Sequence, residues 1–214
     1  MAPTRDTSEV RNRFFSRVWV RMKDVDEQVE NRRRNLAGLS GKVIELGAGD
    51  GRNFALYPPE VTEVLAVEPE PYLRERGEAE ARKASVPVTV VAGVADRLPA
   101  EDASFDAGVA SLVLCTVPDQ AQALAELRRV IKPGGKLHFF EHVRANRQPR
   151  ARIDDLLDHV WPHVAGGCHP NRETREAIEA AGFEIQSCEG FDWGPGFPMP
   201  QFAHILGVAS NPAV

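Results

Sequence analysis

Val43-Ile44-Glu45-Leu46-Gly47-Ala48-Gly49-Asp50-Gly51 is an apolar run that ends in an acid and opens into three glycines spaced G-x-G-x-G. It predicts a buried strand feeding a side-chain-free loop that a ligand approaches through the backbone. The spacing differs from the phosphate-binding loops. A P-loop requires G-x-x-x-x-G-K-[ST], which the chain lacks, and in the dinucleotide fingerprint G-x-G-x-x-G the third glycine comes one residue later. A loop with no phosphate-binding lysine suits a nucleoside without a pyrophosphate. Glu45 then either faces a cationic end of that ligand or caps the loop. Glu68 follows Gly51 by 17 residues, and a carboxylate there can accept hydrogen bonds from both hydroxyls of a ribose.

The elements needed to position these residues are legible in the pattern. The spacing predicts one long helix from Glu9 to Leu36, with Val10, Phe14, Val18, Met22, Val25 and Val29 on its apolar face. Strands are predicted at Lys42–Leu46, Glu63–Val67, Val88–Ala92, Phe105–Ala110 and Lys136–Phe140. Helices are predicted at Pro71–Ala84, from an Asp119 cap to Ile131, at Ile153–Trp161, and from an Asn171 cap to Ala181. Phe183–Cys188 and Phe202–Ala209 read as a closing antiparallel pair. Alternating strands and helices give an α/β fold, a mostly parallel sheet covered on both faces, whose ligands sit at the carboxyl ends of the strands. The glycine loop, Glu68, the Ala95-Asp96 turn, Ser111–Thr116 and Glu141-His142 all fall at that edge.

Composition limits the alternatives. The chain of 214 residues has room for one well-buried domain and not for two, and it shows no internal repeat. A net charge of −5 argues against a nucleic-acid partner, and Arg32-Arg33-Arg34 reads as a solvated helix face. Residues 1–8 read as flexible and carry no signal-peptide pattern; no run spans a membrane, so a cytoplasmic protein is expected. Cys115, Cys168 and Cys188 are odd in number and widely spaced, which suits reduced thiols; no pair has zinc-site spacing and no metal is expected.

Glu45–Gly51, Glu68-Pro69, Leu98-Pro99 with Ser104-Phe105-Asp106, and Leu127-Arg-Arg-Val-Ile-Lys-Pro-Gly-Gly135 together resemble the class I S-adenosylmethionine-dependent methyltransferases. The resemblance runs from Gly41 to Glu141 and implies a Rossmann-like seven-stranded sheet with an antiparallel last strand. It also implies that Gly47, Ala48, Gly49 and Gly51, with Glu45 and Asn53, surround the methionine portion of S-adenosylmethionine. Glu68 with Pro69 would hold the ribose, Ala95-Asp96 would read the adenine, and Ser111-Leu112 would complete the cofactor wall. Val94 stands where many relatives carry an Asp.

No [DN]-P-P-[YF] motif follows the fourth strand, which argues against adenine or amide nitrogen as acceptor. Leu112–Val117, Glu141-His142-Val143, and Trp161 with Gly167-Cys168-x-x-x-Arg172-Glu173-Thr174 resemble the alkyl thiol S-methyltransferase family, as do Tyr57-Pro58-Pro59 and His204-Ile205-x-Gly207. That resemblance covers Phe14 to Ala209 and implies a small acceptor, a thiol first. Animal members carry an apolar N-terminal anchor, and none is expected here. The implied arrangement is a 9–37 helix, a 42–141 cofactor core and a 142–214 substrate side.

Thiolate is the reactive form of a thiol, and with a pKa of about 8.5 only a few per cent is ionised near neutral pH. Holding sulfur and methyl in line is worth up to about 7–11 kcal/mol. His142, just past the fifth strand, is the first candidate for base or polariser, with a structural hydrogen-bonding role as its alternative; His159, His163 and His169 are further candidates. Phe14, Phe15 and Trp19 give the first helix an aromatic face able to cover the cofactor, or simply to pack. Cys115, Trp161 and Cys168 are expected to line the acceptor pocket. Arg172 orients a substrate acid or pairs with Glu173 or Glu176, and the Phe191–Pro198 loop is a further candidate for the pocket. The alternatives are an amine, quinone or phospholipid-headgroup methyltransferase, and a non-catalytic cofactor-binding protein.

Overall fold

β-branched residues concentrate in the first three strands, and the two central strands, first and fourth, are buried over most of their length. β1 (Gly41–Leu46), β2 (Val61–Val67), β3 (Val88–Val91), β4 (Phe105–Ser111) and β5 (Ile131–Val143) run parallel in the spatial order β3-β2-β1-β4-β5. β7 (Phe202–Ser210) follows antiparallel beside β5, and β6 (Glu184–Trp193) pairs antiparallel with β7 at the edge. This computed structural model describes residues 13–21, 25–194 and 201–213. It has the seven-stranded Rossmann-like sheet with one reversed strand that the sequence led us to expect.

The two faces of the sheet carry separate cores. Ile44, Leu46, Ala110, Leu137 and Phe139 pack with Leu124 and Leu127 of α4 (Gln120–Val130) and Ile178 of α7 (Thr174–Ala180). Val43, Ala66, Ala107 and Val109 pack on the other face with Phe54, Tyr57 and Leu36, the last from α2 (Asp26–Leu36). Each fully buried Leu, Val or Phe contributes about 1.5–3 kcal/mol of transfer free energy, so the carboxyl edge sits on a rigid base. The chain leaves β1 toward β2 and returns for β4 on the other side. The crevice between the ends of β1 and β4 is therefore the switch point at which such sheets bind ligands.

Several expected elements differ. The single helix from Glu9 to Leu36 is two, α1 (Arg13–Arg21) and α2, with Val25 extended between them at φ −81° and ψ 159°. Two residues of its expected apolar face are exposed. Val18 and Val25 are 40% and 42% exposed, whereas α2 buries Asn31, Arg32, Asn35 and Leu36. The reason is what α2 covers: the Asn35 carbonyl accepts from His138 Nδ1 of β5 at 2.7 Å, and Arg32 reaches the carboxyl ends of β1 and β4. A helix over a polar sheet edge turns a polar face inward, which an apolar periodicity cannot reveal. Val10 and Met22 lie outside the described residues.

Ile153–Trp161 divides into α5 (Arg150–Leu157) and α6 (Trp161–Val164). α7 begins at Thr174, and Glu173, not Asn171, precedes it. Asp119 does cap α4, accepting from the Gln122 N–H at 2.9 Å. α3 (Pro71–Ala81) ends three residues early. Lys132–Gly135 bulges from β5: the register with β4 steps from Ile131 directly to Lys136. Among the described residues no helix is long and apolar enough to cross a membrane.

Gly207 marks where β7 presses closest on its neighbours. A Cβ there would collide with the Ser187 carbonyl oxygen and lie 2.6 Å from Phe139 Cζ. Gly207→Ala is expected to destabilise the protein by about 1–3 kcal/mol through overpacking. The check is a urea titration, in which the midpoint should fall with an unchanged slope; an unshifted midpoint would contradict this packing.

Candidate functional site

The glycine loop is shaped by backbone conformations that only glycine adopts freely: φ is +63° at Gly47, +59° at Gly49 and +85° at Gly51. Any Cβ at Gly47 would strike Val113, which follows β4 across the crevice. The loop is tied to the second strand end, since the Gly49 N–H donates to Glu68 Oε2 at 2.7 Å and the Glu70 N–H to Glu68 Oε1 at 2.9 Å. Burial pushes the Glu68 carboxyl up to about 7 despite both donors. A carboxylate with one donor per oxygen has acceptor capacity left, and two further hydroxyl donors would offset its desolvation.

Glu45 is held from the other side. Its oxygens accept from Asn53 Nδ2 and from the Tyr57 hydroxyl, both at 2.7 Å, and burial pushes it up to about 7. Asn53 Oδ1 in turn accepts from Arg32 Nη1 at 3.2 Å, and the same nitrogen donates to Ser111 Oγ at 3.2 Å. Arg32 is only 4% exposed. The expectation of a solvated basic face fails for it, although Arg33 does pair with Glu30 on the surface. The guanidinium compensates the buried Glu45 through Asn53, joining α2, the loop and the end of β4 in one polar chain.

Glu141, buried in β5, accepts the N–H groups of Val113 at 3.0 Å, Leu114 at 2.9 Å and Cys115 at 3.1 Å. To present them in one direction the chain turns at Leu112, which sits at φ +57°, a left-handed conformation costly for a leucine. The carbonyls of the segment are held as well. Arg172 donates to Leu114 O and, at 2.6 Å, to Val117 O, and the His169 N–H donates to Cys115 O at 2.8 Å.

This arrangement brings three separated residues together. His142 Nδ1 lies 3.2 Å from Cys168 Sγ and 3.7 Å from Cys115 Sγ, and the two sulfurs are 3.7 Å apart. Hydrogen bonding from Cys115 and the nearby His142 pull the Cys168 thiol down to about 5, against the effect of burial. An aromatic wall adjoins the group. The His142 ring meets Phe202 edge-on at 5.6 Å and His204 at 4.4 Å, and Trp161 lies 5.0 Å from Phe202.

Cys115, Cys168 and His142 thus gather at one place, with Trp161 against Phe202 of the adjoining wall, although no chain spacing signalled such a group of two thiols and an imidazole. Arg172 is spent on main-chain carbonyls and pairs with neither Glu173 nor Glu176, so it shapes the Leu112–Val117 segment. His159 and His163 are exposed, and His169 Nδ1 lies 3.0 Å from Asp158. The Ala95-Asp96 turn follows β3, with Asp96 exposed and Pro69 half-buried next to Glu68. Phe14, Phe15 and Trp19 fall in α1, but their side chains, like residues 195–200 of the Phe191–Pro198 loop, lie outside the described residues. Sequence reasoning missed Arg32, Tyr57 and Glu141 as working residues. Only Glu141, an acid at a strand end beside His142, left a signal.

The donor set fits a nucleoside with an amino-acid end: an acceptor for a ribose diol at Glu68, a side-chain-free loop, and Arg32 with Asn53 beyond it. Comparison with known proteins agrees. A family model described as a methyltransferase domain matches residues 44–139. Thiol S-methyltransferase TMT1B of Rattus norvegicus is 35% identical over 203 residues, covering 91% of this chain and 81% of its own. Thiol S-methyltransferase TMT1A of Homo sapiens is 35% identical over 171 residues, covering 74% and 70%. A solved SAM-dependent methyltransferase from Methanosarcina mazei matches with a TM-score of 0.66 at 18% identity, covering 84% of this chain and 96% of that one; at that identity the likeness concerns the fold.

Glu45 permits a test of this polar chain without any ligand. Its raised pKa means that the folded state keeps the proton while the unfolded state loses it, so its contribution to stability falls as pH rises from about 4.5 to about 7. Glu45→Gln removes that dependence. The stability of the variant minus that of the parent should rise by about 1.4 kcal/mol per pH unit within the window, read by denaturant titration at pH 5, 6 and 7. A constant difference would contradict the protonated, buried acid.

Proposed function

This chain belongs to the family of the thiol S-methyltransferases, S-adenosylmethionine-dependent enzymes, and we propose that its own acceptor is a small thiol. The observation that carries the reading is the gathering of Cys115, His142 and Cys168 against an aromatic wall beside the end of β4. A polarisable, mostly apolar site suits sulfur better than it suits a strongly hydrated amine.

Bound S-adenosylmethionine supplies a methyl group made electrophilic by its sulfonium. The residues of the chain divide the rest of the work. The Gly47–Gly51 loop with Ala48 admits the methionine portion, and Glu45 holds Asn53 so that Asn53 and Arg32 receive its carboxylate. Glu68 takes the ribose hydroxyls, Pro69 and the Ala95-Asp96 turn border the adenine, and Ser111 and Leu112 close the wall. The acceptor sulfur lies beside Cys115, His142, Trp161 and Cys168. Arg172 acts through the carbonyls of Leu114 and Val117 as a positioning residue.

Displacement on carbon is direct, so neither cysteine is needed as a covalent carrier. The chief contribution of the protein is to hold sulfur and methyl in line with water excluded, worth up to about 7–11 kcal/mol. Within this reading residues 42–141 bind the cofactor and 142–214 serve the acceptor. The net charge of −5 supports a partner other than nucleic acid, and three free cysteines support a reducing, cytoplasmic setting.

Incubation with methyl-labelled S-adenosylmethionine and an alkyl thiol, hydrogen sulfide, a primary amine, a quinol or a phospholipid tests the acceptor. Label should pass to the thiols; label on the amine, quinol or lipid with none on sulfur would contradict the proposal. Glu68→Ala should weaken S-adenosylmethionine binding by more than about tenfold through loss of the ribose acceptor. Calorimetry giving the parent's affinity would displace the ribose from Glu68.

A further inference from the structure

We infer that Cys115, His142 and Cys168 form a site for one thiophilic divalent cation, zinc first, and that its open fourth position takes the acceptor thiol as a thiolate. The inference rests on the thiol reading above for its substrate and on geometry for its metal. Zinc binds thiolate sulfur at about 2.3 Å and imidazole nitrogen at about 2.0–2.1 Å in a tetrahedron, which places sulfur about 3.8 Å from sulfur and about 3.6 Å from nitrogen. The observed separations are 3.7 Å between the sulfurs and 3.2 and 3.7 Å from Nδ1 to each. Two of the three edges match that figure, and the third, 3.2 Å from Nδ1 to Cys168 Sγ, is short of the tetrahedral value of about 3.6 Å.

The three donors are held by backbone hydrogen bonds and sheet register, as a rigid site requires. Cys115 is fixed through its N–H to Glu141 and its carbonyl from His169. His142 lies in β5, in register with His204 of β7, with Phe202 at its ring edge. Cys168 is placed by the 165–169 turn, whose Cys168 N–H donates to the Ala165 carbonyl at 3.2 Å. Among the described residues no fourth His, Cys, Asp or Glu joins the group. Glu141, the nearest acid along the chain, is occupied by three N–H groups. Three protein ligands with one open position is the pattern of a catalytic zinc site, whereas structural sites are closed by four.

The chemistry follows from the charges. Two thiolates and a neutral imidazole cancel the charge of a divalent cation, so a substrate sulfur bound there keeps electron density for attack. On binding, the S–H bond of the acceptor breaks, a sulfur–metal bond forms, and the proton leaves to solvent; nothing is oxidised or reduced. The bound sulfur then forms its bond to the methyl carbon as the old carbon–sulfur bond breaks, leaving its electron pair on the cofactor sulfur. This addresses the small thiolate fraction of a free thiol near neutral pH, a problem that positioning alone leaves in place.

The test uses the full chain, reduced anaerobically, with Zn²⁺ and Co²⁺ as probes. One equivalent should bind, and the Co²⁺ form should show a thiolate-to-cobalt charge-transfer band and tetrahedral visible bands that shift when an alkyl thiol is added without cofactor. Cys168→Ser should weaken Zn²⁺ binding by more than about tenfold, while Cys188→Ser, away from the group, keeps the parent's spectrum. Absence of stoichiometric binding by the reduced parent, or a cobalt spectrum indifferent to thiol, would overturn the inference without needing any variant to fold. So would a chelator-treated, metal-free protein that methylates thiols at the full rate, which would leave the thiol reading standing. A metal site that responds to thiol in a protein methylating only non-sulfur acceptors would uphold the site and reject that reading.

Discussion

One buried carboxylate sets the shape of the proposed acceptor side. Glu141 collects three consecutive N–H groups after β4, and everything that converges there depends on the direction this imposes. Three main-chain donors removed from water would each cost about 1–3 kcal/mol if left unpaired, and their capture offsets the left-handed Leu112. Val113 is thereby laid across Gly47, closing the crevice between β1 and β4, and Cys115 is turned toward His142 on the neighbouring strand. Arg172 and His169 secure the opposite side of the segment through its carbonyls. A stretch without regular structure thus becomes as rigid as the strands it follows.

The proposed cofactor side has a similar logic, with side-chain donors in place of main-chain ones. Glu45 is buried at the end of β1, and its desolvation is offset by Asn53, Tyr57 and, one bond further, Arg32. Because Arg32 belongs to α2, the helix that precedes the sheet is tied to the glycine loop by a polar chain and not by apolar packing alone. Joining a buried guanidinium and a buried carboxyl through a shared amide is weak as a source of net stability but strong as a determinant of geometry. Displacement of α2 would expose the loop and disturb both groups together, so folding of the N-terminal helices and readiness of the proposed cofactor cradle are coupled.

How much of this was legible in the sequence depended on the kind of signal. The sheet, the glycine loop, Glu68 and the Asp119 cap come from local patterns: β-branched runs, glycines at fixed offsets, an acid before a helix. They survive because tertiary packing agrees with local preference there. The helix before β1 was misread because the face that α2 buries is mostly polar, while Val18 and Val25, which help mark the helical period, are exposed. Arg32 looked like one of three surface arginines, and nothing in its neighbours distinguishes it. Cys115, His142 and Cys168 are separated by 27 and 26 residues, far outside any ligand spacing, and only the sheet register and the Glu141 turn bring them to one point.

The central claim is that the cofactor cradle and the Cys115–His142–Cys168 group face one another across the end of β4. A crystal structure with bound S-adenosylhomocysteine measures this directly. The account predicts the ribose hydroxyls on Glu68 and the cofactor sulfur directed at the group, leaving space for a methyl carbon and an acceptor sulfur about 3–3.5 Å apart. A cofactor sulfur directed away from the group, or separated from it by Leu112–Val117, would contradict the account.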